Sequence, residues 1–582
     1  MLIITVAVMI MALLYACANV VAPTGGPKDE TPPRVIRSNP PNYATHFNEK
    51  QIRIFFDEFI RLHNLRQQML VSPPLKSLPE VRIRGRSIII DIEEELRPNS
   101  TYNFFFGDAI RDITEGNAIP NFQFVFSTGS YVDSLSVRGQ VRNAFNHKPE
   151  EGVFVMLYDQ PYDSVPYLER PVYLAKTDKE GRFLISNMAD GLYLMFALRD
   201  NNANFLFDLP DEKIAFLDSL IRPEYFTAVK EPDTNDLEED LQPAEGLHFV
   251  PEAAEAEDKA PGLPESGVAG NFYELFLFQE ADTVQRVVSA SLTREGLITI
   301  AFRIPYDSAH VREIRRPFDK QWHIPEFSAK QDTLRIWFAE TGRDSLFLEI
   351  RDCDRILDTI ARSTTLRARR DRREADTIPA PLAIRATYRR ATAVPFFEPV
   401  GFVSEHPLAD IRSEKIRVLM HDSINVETGF HFADEVRRKV LMTPLPEEGS
   451  RYHVEFLPGA FEDIFGLKND SLHFRFTAST RENYGNLIIH VELPEKDYQF
   501  LLQLLDRDQR VLGEKTLLDS GTYTFEYLGP GSYGLRLVHD KNNNGRWDTG
   551  HYLKGIQPET VTIFPETIQI RENWDVEINL QP

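Results

Sequence analysis

Residues 181–208 align without gaps on residues 521–548, at a constant offset of 340. Gly181 matches Gly521, Phe183 matches Tyr523, Ile185 matches Phe525, Met188 matches Leu528, Gly191 matches Gly531 and Tyr193 matches Tyr533. The run ends with Asp200, Asn202, Asn204 and Asp208 against Asp540, Asn542, Asn544 and Asp548. A duplication of this kind constrains the fold more than any other feature, because each copy has to close a core of its own with partly different side chains. A second repeat lies upstream of each copy. Ser100, Tyr102, Phe106, Gly116, Phe124 and Phe126 match Ser450, Tyr452, Phe456, Gly466, Phe474 and Phe476 at an offset of 350. QIRIFFDE (51–58) likewise parallels KIRVLMHD (415–422), so each half runs through two modules in the same order.

Both modules read as β-sheet. QIRIFFD, EVRIRGRSIIIDI, STYNFFF and FQFVFST are short, alternating and rich in β-branched or aromatic residues, with Pro, Asn, Asp and Gly clusters between them. Only 211–221 (DEKIAFLDSLI) suggests a short helix. Strands about ten residues apart, in units of about 100 residues, predict an all-β chain of tandem, duplicated β-sandwich domains. With 582 residues, 42% of them hydrophobic, the chain can fill several such cores. A net charge of −23 argues against DNA or RNA partners, which require basic surfaces to neutralise phosphate.

Positions 1–16 carry no charge, and Leu14-Tyr15-Ala16 runs directly into Cys17. This stretch resembles the signal of a bacterial lipoprotein, although residues 1–5 hold no Lys or Arg. The resemblance implies cleavage before Cys17 and acyl chains on it, each buried CH₂ adding about 0.8 kcal/mol of membrane affinity. The other reading is an uncleaved transmembrane anchor, for which sixteen residues fall short of the roughly 20 a span needs. Cys353 is the only other cysteine, so acylation of Cys17 leaves no disulfide.

The first module carries Ser38-Asn39-Pro40, Phe56-Asp57-Glu58 and a late Phe-x-Phe strand before Ser127-Thr128-Gly129. It resembles the SbsA-type bacterial Ig-like domain. In its second copy Glu405-His406-Pro407 and His421-Asp422 replace those signatures. The other module has Val137-x-Gly139-x-Val141, Thr177-Asp178-x-x-Gly181-x-Phe183 and Gly191-x-Tyr193. It resembles the carboxypeptidase-regulatory or transthyretin-like sandwich, an accessory domain without hydrolase activity. The expected order is a lipoprotein signal peptide (1–16), a tether (17–31), an Ig-like sandwich (32–130) and a transthyretin-like sandwich (134–230). A linker (231–268), a further β-domain (269–382), an Ig-like sandwich (383–480) and a transthyretin-like sandwich (481–582) complete it. Eleven acidic residues between Glu231 and Asp258 predict that the linker is disordered. The basic run Arg367, Arg369, Arg370, Arg372 and Arg373 reads as a solvated tip or linker.

Cys17, the Gly25-Gly26-Pro27-Lys28-Asp29 stretch, Pro32-Pro33 and the Ig-like module, taken in order, resemble a lipoprotein family of the Bacteroidetes. The resemblance implies an envelope location, at the outer membrane, and a non-enzymatic role. Surface-exported lipoproteins of that group often carry acidic residues just after the Cys, whereas Ala18-Asn19-Val20 are neutral, which leans towards the periplasmic face and leaves the cell surface open. The expected function is a lipid-anchored binding or scaffolding protein, an accessory subunit with an outer-membrane protein partner and no nucleic acid. The alternatives are a calcium-dependent adhesin or glycan binder, and a hydrolase whose paired carboxylates only the fold would assemble.

The candidate site is the repeated loop DNNANFLFD (200–208) and DKNNNGRWD (540–548). Ca²⁺ takes six to eight oxygen ligands, which Asp200, Asn202, Asn204 and Asp208, or Asp540, Asn542, Asn544 and Asp548, offer at loop positions 1, 3, 5 and 9. Gly545 occupies position 6, and Asp211 stands at position 12 of the first loop where His551 stands in the second. The competing reading is a polar turn whose side chains bond local backbone amides. No His-Glu-x-x-His motif, phosphate-binding Gly-Lys-Ser/Thr loop or paired-Cys spacing is present. Pro530-Gly531-Ser532-Tyr533-Gly534 looks like a nucleophile elbow, but its first glycine is proline and its counterpart Asp190-Gly191-Leu192-Tyr193 lacks the serine. Asp followed by Ser or Thr and an apolar residue recurs, as at Asp133, Asp163 and Asp332; the pattern resembles the O-glycosylation acceptor of exported Bacteroidetes proteins, and reads equally as strand-opening turn chemistry.

Overall fold

The computed structural model describes residues 29–225, 271–318, 321–339, 343–364, 380–388 and 393–581. Cys17 with its signal, most of the tether, the acidic linker and the basic arginine run lie outside the described residues. The chain is all-β, a series of tandem β-sandwiches. Helices among the described residues are single turns, such as Leu65–Gln68 and Val165–Leu168, and none is long and apolar enough to cross a membrane. Two compact units form, Met1–Glu280 with Gly550–Gln557, and Ala281–Thr549 with Pro558–Pro582.

In the first unit, a four-stranded sheet containing Gln51–Phe56 and Ser87–Asp91 packs on a three-stranded sheet containing Thr101–Gly107 and Phe122–Ser127. Alternation puts Ile52, Ile54 and Phe56 in the core against Tyr102, Phe104, Phe106, Phe124 and Phe126, all buried. Truncating such a phenylalanine to alanine costs about 3–5 kcal/mol. The repeated aromatic spacing seen in the sequence is therefore the core of this sandwich.

The next sandwich is a seven-stranded sheet folded over its own core. Its membership corrects a boundary. Phe272–Gln279, expected to open the 269–382 domain, pairs in parallel with Leu135–Asn143 and antiparallel with Lys213–Phe216. The sandwich that was expected to end at 230 is thus completed by a strand from beyond the linker. Its physical reason is burial: Leu275 and Leu277 fill the same core as Val137, Val141 and Ile185. The short helix expected at 211–221 is also replaced by strand, because Ile214, Ala215 and Phe216 are all buried between neighbouring strands Leu194–Arg199 and Phe272–Gln279. Gly550–Gln557 counts with this unit, where Tyr552 meets Phe196 and Phe216 edge-on at 5.2 and 5.1 Å.

In the second unit, Val287–Arg294 to Arg355–Ser363 make a seven-stranded sandwich of two sheets around Ile298, Ile300, Leu334, Ile336, Leu348 and Ile350. The following sandwich sets the sheet of Gly401–Ser404 and Lys439–Thr443 against that of Ile416–Met420, Arg451–Phe456 and Leu472–Thr477. Tyr452, Phe456 and Phe476 occupy the positions of Tyr102, Phe106 and Phe126. In the last sandwich Gly485–Val491 pairs with Gly521–Leu528 and, in parallel, with Asp575–Leu580. That parallel closure repeats the one made by Phe272–Gln279.

Candidate metal loops and their closing glutamates

Each duplicated loop follows a central strand, Leu194–Arg199 in one copy and Gly531–Asp540 in the other. The position-1 carboxylate turns the chain. Asp200 Oδ1 accepts from the Asn202 and Ala203 N–H groups, and its Oδ2 accepts from Phe205 N–H at 2.7 Å. Asp540 accepts from Asn544 N–H at 3.1 Å and Gly545 N–H at 2.7 Å, with Gln499 Nε2 also donating to Oδ2. The amide oxygens continue the pattern two residues on: Asn202 to Asn204 N–H, Asn204 to Leu206 N–H, Asn542 to Asn544 N–H and Asn544 to Arg546 N–H. These bonds force left-handed backbone at positions 4 and 6, with φ of 58° and 62° at Ala203 and Phe205 and of 60° and 77° at Asn543 and Gly545. Gly545 takes that conformation without steric cost. Phe205 takes it with its ring edge-on to Phe154 at 5.2 Å.

Position 9 gathers the amides. Asn202 and Asn204 donate Nδ2–H to Asp208 at 3.1 and 2.8 Å, and Asn542 and Asn544 both donate to Asp548. The fold therefore brings together eight of the nine predicted ligands, four in each loop. Asp211 is not among them: its Oδ2 accepts from the exposed Asn201 amide at 3.2 Å. His551, at the equivalent position, sits with Nδ1 3.4 Å from Glu280 Oε1.

The group that closes each loop was missed in the sequence. Glu212, 1% exposed, accepts from the N–H groups of Asn201, Asp208 and Leu209, each at 3.1 Å. Glu559, 7% exposed, accepts from Lys541 N–H at 2.7 Å and Asp548 N–H at 2.9 Å. The two glutamates do the same work but sit at different distances along the chain, because the second copy inserts residues before Glu559. A gapless alignment at offset 340 cannot pair them. Burial pushes the Glu559 carboxyl above its usual range; N–H bonds from Asp548 and Lys541 oppose this, while the charges of Asp540 and Asp548 add to it.

A Ca²⁺ ion at these loops would draw on Asp200 and Asp208, or Asp540 and Asp548, together with amide oxygens, and would displace the N–H bonds now made to position 9. Neither loop gathers three carboxylates with oxygens mutually within 4.8 Å. The other sequence candidate, Ser532, lies on the strand Gly531–Asp540 and exchanges hydrogen bonds with Gln569 at 3.0 and 2.8 Å. It is a strand residue with an amide partner, not a serine on a strand-to-helix turn. Asp57 accepts from Arg34 N–H at 2.8 Å, and burial together with the charge of Asp112 raises the Glu58 carboxyl.

Residues 29–128 match the family described as a bacterial Ig-like domain. No curated protein matches the chain in sequence. Similar solved structures include native alpha-2-macroglobulin of Escherichia coli, spanning domains MG0-NIE-MG1, at 13% identity over 49% of this chain and 97% of that one, with a TM-score of 0.18. The S-layer protein SbsC is 9% identical over 92% and 67%, with a TM-score of 0.13. The glucan-utilization protein SGBP-B of Bacteroides ovatus, solved with a mixed-linkage heptasaccharide, is 10% identical over 68% and 88%, with a TM-score of 0.16. At these scores none of them bears on what this chain binds. The class that stands is an all-β protein of tandem sandwiches, the first of which is similar to bacterial Ig-like domains.

Proposed function

We propose that this chain is a lipid-anchored, non-enzymatic binding or scaffolding protein of the bacterial outer membrane, an accessory subunit of an outer-membrane protein complex. The observation that carries the reading is the uncharged run 1–16 ending in Leu14-Tyr15-Ala16 against Cys17, placed ahead of a series of β-sandwiches. Acyl chains on Cys17 would hold the sandwiches at the bilayer, within reach of other membrane proteins. Replacing Cys17 with Ser should move the protein from the membrane to the soluble fraction. Extraction in mild detergent should co-purify a β-barrel protein with the wild-type chain. Unchanged membrane association of the Cys17→Ser chain, or recovery of the wild-type chain alone, would sink this reading.

The duplicated loops support a second reading, a calcium-dependent adhesin or glycan binder. Their ordered carboxylates and amides give each loop an oxygen-rich turn. An ion that binds only the native state stabilises it by RT ln(1 + [L]/Kd), roughly 2.7 kcal/mol at 100 times Kd. The full chain should therefore melt higher in calcium than in chelator, and Asp200→Ala with Asp540→Ala should abolish the difference. Identical melting with and without calcium would leave the loops as hydrogen-bonded turns.

A further inference from the structure

The outer face of the second Ig-like sandwich holds a cluster that neither the loops nor the anchor explains. His453 and Glu455 are two apart on the strand Arg451–Phe456, so they share the face opposite the core residues Tyr452, Val454 and Phe456. His473, on the neighbouring strand Leu472–Thr477, stands directly across from Glu455. Glu455 Oε1 lies 3.7 Å from His453 Nε2 and 3.6 Å from His473 Nδ1. Both separations exceed a hydrogen bond. One ligand atom from each of the three residues falls within 4.8 Å of the others, a grouping made nowhere else among the described residues.

A second observation points into the same space. His453 is 9% exposed, and its Nε2 is buried without a hydrogen-bond partner. A buried polar atom left unpaired is unfavourable, and a bound cation would supply the missing partner. We propose that His453, Glu455 and His473 form a binding site for a divalent transition metal of the zinc type. Two imidazole nitrogens and one carboxylate oxygen are the donors such an ion prefers, at about 2.0–2.2 Å. Tetrahedral ligands at that distance stand roughly 3.3 Å apart, so the two glutamate–histidine separations need to close by a few tenths of an ångström, and the two imidazole nitrogens start within 4.8 Å of each other. His473 is exposed, which leaves a fourth position open to water or to a side chain from elsewhere. Arg417 and Arg475, the register partners of Glu455 and His453, are exposed and can carry their charged heads into solvent.

The first Ig-like sandwich supplies an internal contrast. At the offset of 350, Asn103, Phe105 and Gln123 replace the three ligands. There Asn103 Nδ2 donates to Gln123 Oε1 at 2.9 Å across the same two strands. One copy ties its strands with an amide pair, while the other presents metal donors at the same places.

The test is titration of the full chain with zinc chloride, followed calorimetrically, for wild type, His473→Gln, His453→Asn and His63→Gln. His473→Gln changes an exposed residue and should leave the circular dichroism spectrum intact. Since loss of a residue that merely supports a ligand weakens metal binding about 10–100-fold, loss of a ligand should weaken the tightest zinc site by at least tenfold. His63→Gln, an exposed histidine outside the cluster, should leave that site unchanged. Equal titrations for wild type and His473→Gln, absence of zinc binding in wild type, or an equal loss in His63→Gln would each overturn the proposal.

Discussion

The two Asp/Asn loops share one sequence pattern and one hydrogen-bond wiring, yet they are closed differently. In the first, Glu212 lies close behind position 9 and takes three backbone N–H groups. In the second, Glu559 comes from beyond an insertion and takes two, close to the charges of Asp540 and Asp548. The first loop also holds a phenylalanine at position 6 where the second holds glycine, at nearly the same positive φ. The difference teaches that the nine-residue pattern encodes the turn, whereas its stability is set by a glutamate whose place in the chain is free to move.

The largest effect expected is at those glutamates. Glu212→Ala leaves three N–H groups without their acceptor, and a hydrogen bond to a carboxylate contributes about 1.5–3 kcal/mol. Hydrogen exchange at Asn201, Asp208 and Leu209 should accelerate by at least about 30-fold, equivalent to about 2 kcal/mol. Glu559→Ala should accelerate Lys541 and Asp548 by less. Equal effects in the two loops would break the comparison.

Position 6 comes next. Gly545→Phe should destabilise the second loop by roughly 1–2 kcal/mol, the cost of left-handed backbone for a side-chain-bearing residue. Phe205→Gly relieves the same strain in the first loop but gives up the packing on Phe154, so its net change should be smaller. Thermal melting and loop-amide exchange of the two full-length variants read this directly.

A smaller effect should appear with pH. Because the native pKa of Glu559 is raised, the native state binds that proton more tightly than the unfolded chain. Its contribution is most favourable below the ordinary carboxylate value of about 4.3 and is lost as pH rises through the raised value. The exchange protection of Lys541 and Asp548 should fall over that window in wild type and stay level in Glu559→Gln. The smallest effect expected is for Asp211→Ala, under about 0.5 kcal/mol by thermal melting, since its carboxylate serves only an exposed amide.

The Ig-like copies repeat the lesson on a sheet face. Their inward residues keep an aromatic core, Tyr102, Phe104, Phe106 and Phe126 against Tyr452, Phe456 and Phe476. Their outward residues diverge from Asn103 and Gln123 to His453 and His473. In sequence His453-x-Glu455 shows only that two donors share a strand face. That His473 stands opposite Glu455 depends on the register between strands, which no local pattern carries.

The amino-acid sequence by itself determined the all-β class, the duplicated modules, the aromatic core positions and the Asp/Asn turn. Alternation, turn residues and repeat spacing are local signals, and each acts over a few residues. Tertiary structure decided which strand completes the sandwich of Leu135–Asn143, since Phe272–Gln279 enters it across a long intervening segment. It also turned 213–216 from an expected helix into a strand, by burying Ile214, Ala215 and Phe216 between two neighbours. It chose the glutamates that close the loops and set His453, Glu455 and His473 together. Those outcomes rest on burial and cross-strand register between residues distant in the chain, and such contacts exist only once the sheets have formed.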